Sequence, residues 1–506
     1  MSNSEKLRSR EVAAVIGPLI TIRFGGHVAV AALLAGCAVG PDFERPVPPT
    51  VETYSPHISN EVYTSAPSDY DSSQRVVPGL QVETGWWRSF RSPRLDQFIA
   101  EALDQSPTLA AAEATLRESQ EYHQARSGAT EFPQVEIGSS AQRQRFNPGA
   151  LGQDLDPREF SLYNTSASVG YNLDLAGGNS RAIEALAARA DTRQFELRAA
   201  RLTLAGNIAT TAFARARIAA QLEITNSLID NLEAQQRIAR QRLRLGNAAA
   251  DELLALEAQT EALKATLPVL SQQLAEAEHL LATLAGRAPA QGGVPEFTLS
   301  EFALPPELPL IVPSELVRQR PDILAAETMV HAANADYGIA VAQMYPQLNL
   351  NATLGTQALT TGALFGGSST IWSIIGQITQ PLFNPGLSHE KRAALAAFDA
   401  ATARYKVIVL DGLRDVADVL VAVDSNAREL EAEIRAANAA QESLLVMQRR
   451  HELGAASYAQ VLIAAQQAQH ARLAVVAGRA NRLANTAALY VAMGGNSGPV
   501  LPDAAE

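Results

Sequence analysis

The chain is short of cysteine (one residue), of aromatic residues (6%), of positive charge and of long apolar runs, in a length of 506 residues. Each shortage excludes something. One cysteine can neither close an intrachain disulfide nor supply a cysteine-rich zinc site. A formal charge of −12 has the wrong sign for a surface that neutralises nucleic-acid phosphates, so no nucleic-acid partner is expected. The longest apolar stretch, residues 28–38, is about half of what a membrane-spanning helix needs. The eight histidines are scattered, with no HExxH pair, and the chain has neither a Walker A sequence nor a GxSxG elbow. Gly25-Gly26 and Gly494-Gly495 are isolated and form no phosphate loop, and five methionines make no thioether patch for copper or silver. No catalytic or metal-ligating constellation is therefore expected. What the chain does have is 47% hydrophobic residues, too many for wholesale disorder.

Lys6, Arg8, Arg10 and Arg23 precede the apolar run from Val28 to Leu34, the charged-then-hydrophobic order of a secretory signal. The charged region is longer than usual, which places the expected translation start downstream of Met1. The run ends in Leu34-Ala35-Gly36-Cys37, which resembles the bacterial lipoprotein signal, in which the cysteine receives a diacylglycerol before cleavage. Two or three acyl chains anchor a protein stably where one does not. Ala38 stands where aspartate usually retains such proteins at the inner membrane, so the outer membrane is favoured. Loss of residues 1–36 removes four basic and two acidic residues and leaves a formal −14. The Pro-, Ser- and Thr-rich stretch 41–78 reads as an extended arm.

The rest of the chain is one unit written twice. Leu245-Gly246 aligns with Leu453-Gly454, and the same offset pairs Leu254 with Leu462, Gln259 with Gln467, Leu281 with Leu489 and Gly286 with Gly494. Upstream, Pro107-Thr108-Leu109-Ala110-Ala111-Ala112-Glu113 matches Pro321-Asp322-Ile323-Leu324-Ala325-Ala326-Glu327, and Phe132-Pro133 matches Tyr345-Pro346. The expected organisation is a signal peptide at 1–36, an extended arm at 37–85 and a first repeat at 86–288. A proline-rich linker at 289–313, a second repeat at 314–495 and a tail at 496–506 complete it.

Each repeat reads as helix, two strands, long helix, turn, helix. No proline lies between residues 178 and 246, nor between 387 and 453. About 65 residues at 1.5 Å each give a helix near 100 Å, which needs lateral support along its length. Ile218, Leu222, Thr225, Ile229, Leu232, Gln236, Ala239 and Leu243 follow a 4-3 spacing. Leu253, Leu256, Thr260, Leu263, Leu267, Leu270, Leu274, Ala277, Leu281 and Leu284 continue it in the next helix. Such spacing predicts antiparallel coiled-coil hairpins. Pro268 is expected to kink its helix, and its counterpart Val476 is not.

The segments after Pro133 and Pro346 change to period two. From Tyr163 to Leu175, Ala167, Val169, Tyr171 and Leu173 alternate with Ser166, Ser168, Gly170, Asn172 and Asp174. Leu348, Leu350, Ala352 and Leu354 alternate with Gln347, Asn349, Asn351 and Thr353. Strands are likewise expected over residues 135–145 and 372–382. Alternation alone suits a half-buried soluble sheet as well as a membrane barrel, but the lipoprotein signal and polar faces rich in Asn, Gln, Ser and Thr rather than ion pairs point to a wet lumen. Phe132, Tyr163, Tyr345 and Phe383, at strand ends, would sit at the membrane interfaces. Four strands cannot close in lipid, so several chains must contribute.

These residues carry a resemblance to the outer-membrane efflux lipoproteins of the TolC family over essentially the whole mature chain. Its carriers are Cys37-Ala38-Val39-Gly40-Pro41-Asp42-Phe43, Trp86-Trp87-Arg88-Ser89-Phe90 and Arg320-Pro321-Asp322-Ile323 with Ala326-Glu327. Leu453-Gly454-Ala455-Ala456-Ser457-Tyr458 and Leu489-Tyr490-Val491-Ala492-Met493-Gly494-Gly495 complete the set. The resemblance implies an α+β membrane protein. Its helical hairpins would form a periplasmic α-barrel, and its four strands would join a 12-stranded barrel in a homotrimer. It further implies a periplasmic adaptor, an inner-membrane pump of the resistance-nodulation-division class and the exit of drugs or other toxic small molecules. No cofactor is implied beyond the covalent lipid on Cys37. An outlet for type I protein secretion shares this architecture; a periplasmic adaptor lipoprotein would instead have one hairpin and a compact β domain.

Two sites follow from the resemblance. The turns at Leu245, Gly246 and Asn247 and at Leu453, Gly454, Ala455 and Ser457 would be the periplasmic tips that meet the adaptor, although glycine there also suits a plain helix C-cap. Related channels narrow at a ring of aspartates just inside the second tip, where this chain has Ile463, with Ala459 one turn earlier. Asp251 and Glu252 could replace that ring, or could be ordinary first-turn acids favoured by the helix dipole. An apolar constriction at Ile463 is the competing expectation.

Overall fold

The structure is a computed structural model and describes residues 38–51, 53–54, 73–148, 152, 156–246 and 249–495. The chain divides into two compact units, each assembled from separate stretches of sequence. In chain order the elements are β1 (Arg75–Pro78), α1 (Pro93–Gln105), α2 (Pro107–Glu131), β2 (Gln134–Phe146), β3 (Arg158–Leu173) and α3 (Gly178–Arg244). They continue with α4 (Ala250–Lys264), α5 (Leu267–Leu284), β4 (Glu307–Leu310), α6 (Pro313–Gln319), α7 (Pro321–Ala342), β5 (Gln347–Ala358), β6 (Thr370–Thr379), α8 (Pro385–Glu452) and α9 (Tyr458–Ala492).

One unit holds residues 118–191 and 328–403 and contains a four-stranded antiparallel sheet in the order β2-β3-β5-β6. All three ladders run without a bulge, from Gln134↔Gly170 to Phe146↔Arg158, from Tyr163↔Ala358 to Leu173↔Leu348 and from Gln347↔Thr379 to Thr356↔Thr370. Strand β3 begins at Arg158, so Tyr163 lies inside the strand and not at its end as alternation suggested.

The other unit, residues 46–117, 192–327 and 404–506, carries the main apolar core. Trp86, in a 3₁₀ turn over Trp86–Phe90, stacks on Tyr490 with ring centroids 5.4 Å apart, and Phe90 meets Phe213 edge-on at 4.9 Å. The arm is not wholly without regular structure: β1 pairs in parallel with β4 inside the proline-rich linker. Such short segments carry no usable alternation.

The hairpins form as the 4-3 stripes require. Tyr405, Val409, Gly412, Val416, Leu420, Val423, Ala427 and Leu430 are the buried stripe of the 68-residue α8. In the first hairpin the returning helix is interrupted, not merely kinked. It ends at Lys264 and restarts at Leu267, with Pro268 in the first turn of α5, where its missing N–H does no harm. Its counterpart α9 is continuous through Val476.

Each hairpin turns on a glycine with positive φ, Gly246 at 71° and Gly454 at 72°. The Gly454 N–H donates to His451 O and the Ala455 N–H to Arg450 O, the two bonds of a Schellman cap. Gly286 and Gly494 end the returning helices in the same way, with N–H groups donating to Thr283 O and Val491 O. The repeated glycines are thus four left-handed helix stops.

Candidate functional site

In a bulge-free antiparallel sheet, residues directly opposite one another share a face, so the register converts sequence alternation into continuous rows. Val135, Val169, Ala352 and Ile374 form one row, and Ile137, Ala167, Leu354 and Trp372 the next. Leu173, Leu348 and Ile378 line up on the same face. These side chains are not buried within the chain: Ile137, Trp372 and Ile374 are each more than 70% exposed. The opposite face carries Glu136, Ser168, Thr353 and Ser373 in one row and Asn172, Asn349 and Gln377 in another, with Asn172 Nδ2 donating to Asn349 Oδ1 at 2.8 Å. Phe132, Tyr345 and Phe383 are exposed at the end of the sheet from which the helices depart. β2 and β6 each have one edge without a partner strand among the described residues.

At the hairpin tips, Leu245 and Leu453 are exposed and Gly246, Gly454 and Ala455 present bare backbone. Asn247 lies outside the described residues. Ser457 is the N-cap of α9: its Oγ accepts from the Gln460 N–H at 3.4 Å, while the Gln460 side chain accepts from the Ser457 N–H at 2.9 Å. His451 Nδ1 donates to Ala456 O at 3.0 Å, and its ring packs edge-on against Tyr458.

The gate candidates separate. Ala459 and Ile463, one turn apart on α9, are both exposed. Asp251 is exposed and accepts from the Glu252 N–H at 3.0 Å. Glu252 instead folds back, with Oε1 3.8 Å from Arg242 Nη1. No pair of these residues is joined by a hydrogen bond across the hairpins among the described residues.

Tyr458, beside the second tip, has a role that its sequence motif alone does not reveal. Its hydroxyl donates to Gln235 Oε1 on the first hairpin, and burial pushes its pKa up to about 12, with the Glu252 carboxylate adding to the shift. Leu462, immediately before the exposed Ile463, buries itself against Leu232, Ala239 and Leu256. Inside the first hairpin Gln236 Nε2 donates to Thr260 Oγ1 at 2.6 Å and to Leu256 O at 3.2 Å. Polar residues on an otherwise apolar stripe were the visible signal for that pair.

Cys37 lies outside the described residues, but the segment after it is held in the sheet-bearing unit. The Val39 N–H donates to Ala176 O at 3.0 Å, and Asn334 Nδ2 donates to Pro41 O at 2.9 Å. Arg181 Nη2 lies 2.7 Å from Asp42 Oδ1, and the Phe43 ring stacks on His331 at 4.3 Å. Ala38 occupies the space a side chain at Gly177 would need, and Gly177 also has positive φ.

Among the described residues, no group of three His, Cys, Asp or Glu side chains is placed to hold a metal, and no helix is long and apolar enough to cross a membrane. The sequence matches the outer membrane efflux protein family over residues 98–287 and 312–495. It is 30% identical over 421 residues to the pyoverdine export outer membrane protein OpmQ of Pseudomonas putida, covering 81% of this chain and 87% of that one. It is 26% identical over 471 residues to the "Probable outer membrane lipoprotein SilC" of Salmonella typhimurium, covering 92% and 96%. The fold superposes on the outer-membrane channel OprN with a TM-score of 0.82 at 25% identity, over 92% of this chain and 100% of that one. The chain belongs to the outer membrane efflux protein family: it has the TolC-like fold and is a non-enzymatic outer-membrane channel of a tripartite efflux system.

Proposed function

We propose that three copies of this chain close a 12-stranded barrel in the outer membrane and line a helical tunnel below it. Drugs or other toxic small molecules, delivered by an inner-membrane pump of the resistance-nodulation-division class through a periplasmic adaptor, leave by this duct. The observation that carries the reading is the sheet: exposed apolar rows on one face, mainly amide and hydroxyl rows on the other, and two edges without a partner strand among the described residues. Open edges are not tolerated in lipid, and a closed barrel of identical sheets satisfies them. Three copies supply enough strands for an open lumen, whereas two would give eight and a filled interior.

The lipid on Cys37 fits the same placement, since the segment that follows it is tied to Ala176 just beyond the end of β3. Leu245, Gly246 and Asn247 with Leu453, Gly454, Ala455 and Ser457 are the adaptor-contact tips, where small residues permit close backbone approach. Ile463 with Ala459 forms the constriction. This assignment is supported by their exposure on one face of α9 and by the engagement of Glu252 with Arg242. Asp251 remains a first-turn acid at the start of α4.

Deleting the gene while pump and adaptor are expressed should raise sensitivity to at least one compound in a toxicity panel, and Gly454→Asp should reproduce the effect while leaving trimer yield unchanged. Unaltered sensitivity to every compound would remove the efflux role. Normal export by Gly454→Asp would remove the tip assignment alone.

A further inference from the structure

The four strands of the sheet carry five charged residues, and the register divides them unevenly. Arg143, Arg145 and Glu159 fall on the face of the apolar rows, with Arg143 Nη2 at 3.3 Å from Glu159 Oε2. Glu136 and Arg158 fall on the other face, the one a closed barrel turns toward its lumen. Glu136 stands opposite Ser168 in the row that runs on through Thr353 and Ser373, so all four strands reach its level. Arg158 is the first residue of β3 and lies beyond the pair Tyr163↔Ala358, where the β3–β5 ladder stops. Over the height that all four strands share, Glu136 is the one charge on the lumen face among the described residues.

That carboxylate is not neutralised within the sheet. Glu136 is exposed and makes no hydrogen bond or ion pair among the described residues. Its neighbours on the face are Gln134, Gly138, Ser166 and Gly170. Arg158 is separated from Ser168 by about 33 Å of strand, roughly four Debye lengths at physiological salt. β2 is an edge of the sheet, so in a closed barrel the strand that joins it is the β6 edge of the next copy. No residue of β6, Thr370–Thr379, is charged, so no cation enters at the seam in any register.

We propose that Glu136 from three copies forms a ring of carboxylates inside the barrel, which admits cationic solutes in preference to anionic ones. The ring rests on the closed trimeric barrel proposed above. Twelve strands about 4.8 Å apart and tilted by about 40° make a wall roughly 24 Å across. A glutamate reaching about 5 Å inward holds its carboxylate roughly 7 Å from the axis, so cargo anywhere in that section passes within a Debye length of a charge at physiological salt. The low-dielectric wall focuses the field of the three charges. A solute bearing an ammonium or guanidinium group is drawn in, and one bearing carboxylate or phosphate groups is repelled. The amides and hydroxyls of the neighbouring rows accept either kind, which leaves the charge to decide.

A cysteine opposite Glu136 reads the charge of the ring without depending on current through the rest of the channel. Full-length Ser168→Cys trimers in lipid vesicles are treated with a cationic or an anionic methanethiosulfonate of similar size, from the side away from the helices. Labelling rates are followed by mass, with the chain lacking the added cysteine as background. At about 10 mM salt, adding Glu136→Gln should lower the ratio of the cationic to the anionic rate by about tenfold, and at about 1 M salt by less than about twofold. Val169→Cys, next in the chain and on the lipid face, should label with neither reagent. An unchanged ratio after Glu136→Gln overturns the ring, as does a change that salt does not diminish. Equal labelling of Ser168→Cys and Val169→Cys, or no labelling of Ser168→Cys, overturns the closed barrel itself, and the ring with it.

Discussion

At the scale of single residues, Arg320 shows how much one side chain of a short motif can hold together. Its guanidinium holds Asp322 through Nε and Nη2, at 3.0 and 2.7 Å, and reaches Asp415 at 3.2 Å. Its Nη1 donates to Gly412 O and Ala492 O, so one side chain ties the start of α7 to α8 and to the end of α9. Only a planar fork with five donors does this. The motif Arg320-Pro321-Asp322 was legible in the sequence; its partners, about a hundred residues and more away, were not. Glu433 is the opposite case, a carboxylate in the space beside Gly478 whose buried Oε2 has no hydrogen-bond partner among the described residues. Burial, and then the neighbouring Glu429, raise its pKa. The folded protein therefore holds this proton more tightly than the unfolded chain, and stability falls as pH rises from the ordinary glutamate range through the raised value. Glu433→Gln should stabilise the protein by about 1 kcal/mol near neutral pH, with the gain vanishing below the ordinary glutamate range. Thermal unfolding at several pH values measures it; a gain independent of pH would assign the effect to packing.

At the scale of elements, the hairpins and strands were legible because their periods, 3.5 and 2, run over many residues. The β1–β4 pair was not, because both strands have four residues and end on or contain proline, Pro78 and Pro309. Nor was the Tyr458–Gln235 hydrogen bond, since it depends on how one hairpin lies against another 223 residues away. Within the first hairpin the Gln236–Thr260 pair fixes the register, because sliding α4 by one turn leaves a buried amide unpaired. Thr260→Val alone should cost about 1–2 kcal/mol, whereas Thr260→Val with Gln236→Leu should be nearly neutral because both polar partners go together. A double-mutant cycle on thermal stability reads the difference, and strict additivity would deny the coupling.

At the scale of the whole molecule, the two faces of the sheet answer to two solvents. Ile374 sits in the row with Ala352 and Val169, and Thr353, next to Ala352 in the chain, lies on the other face. Ile374→Lys should cost about 2–4 kcal/mol and deplete folded trimer in the membrane. Thr353→Lys should preserve the trimer and shift its ion selectivity toward anions. Equal recovery of the two variants would deny the lipid face. The edges of β2 and β6 that have no partner strand among the described residues have a consequence for inheritance as well as for folding. A subunit whose β6 edge is spoiled, as by Ile375→Pro, still offers an intact β2 edge to a normal neighbour, so it is recruited before it fails. Expressed equally beside the normal gene, it leaves roughly one ring in eight free of a defective member if subunits mix at random in threes. Alleles that damage this edge should therefore be dominant, whereas alleles that prevent synthesis of the chain should be recessive.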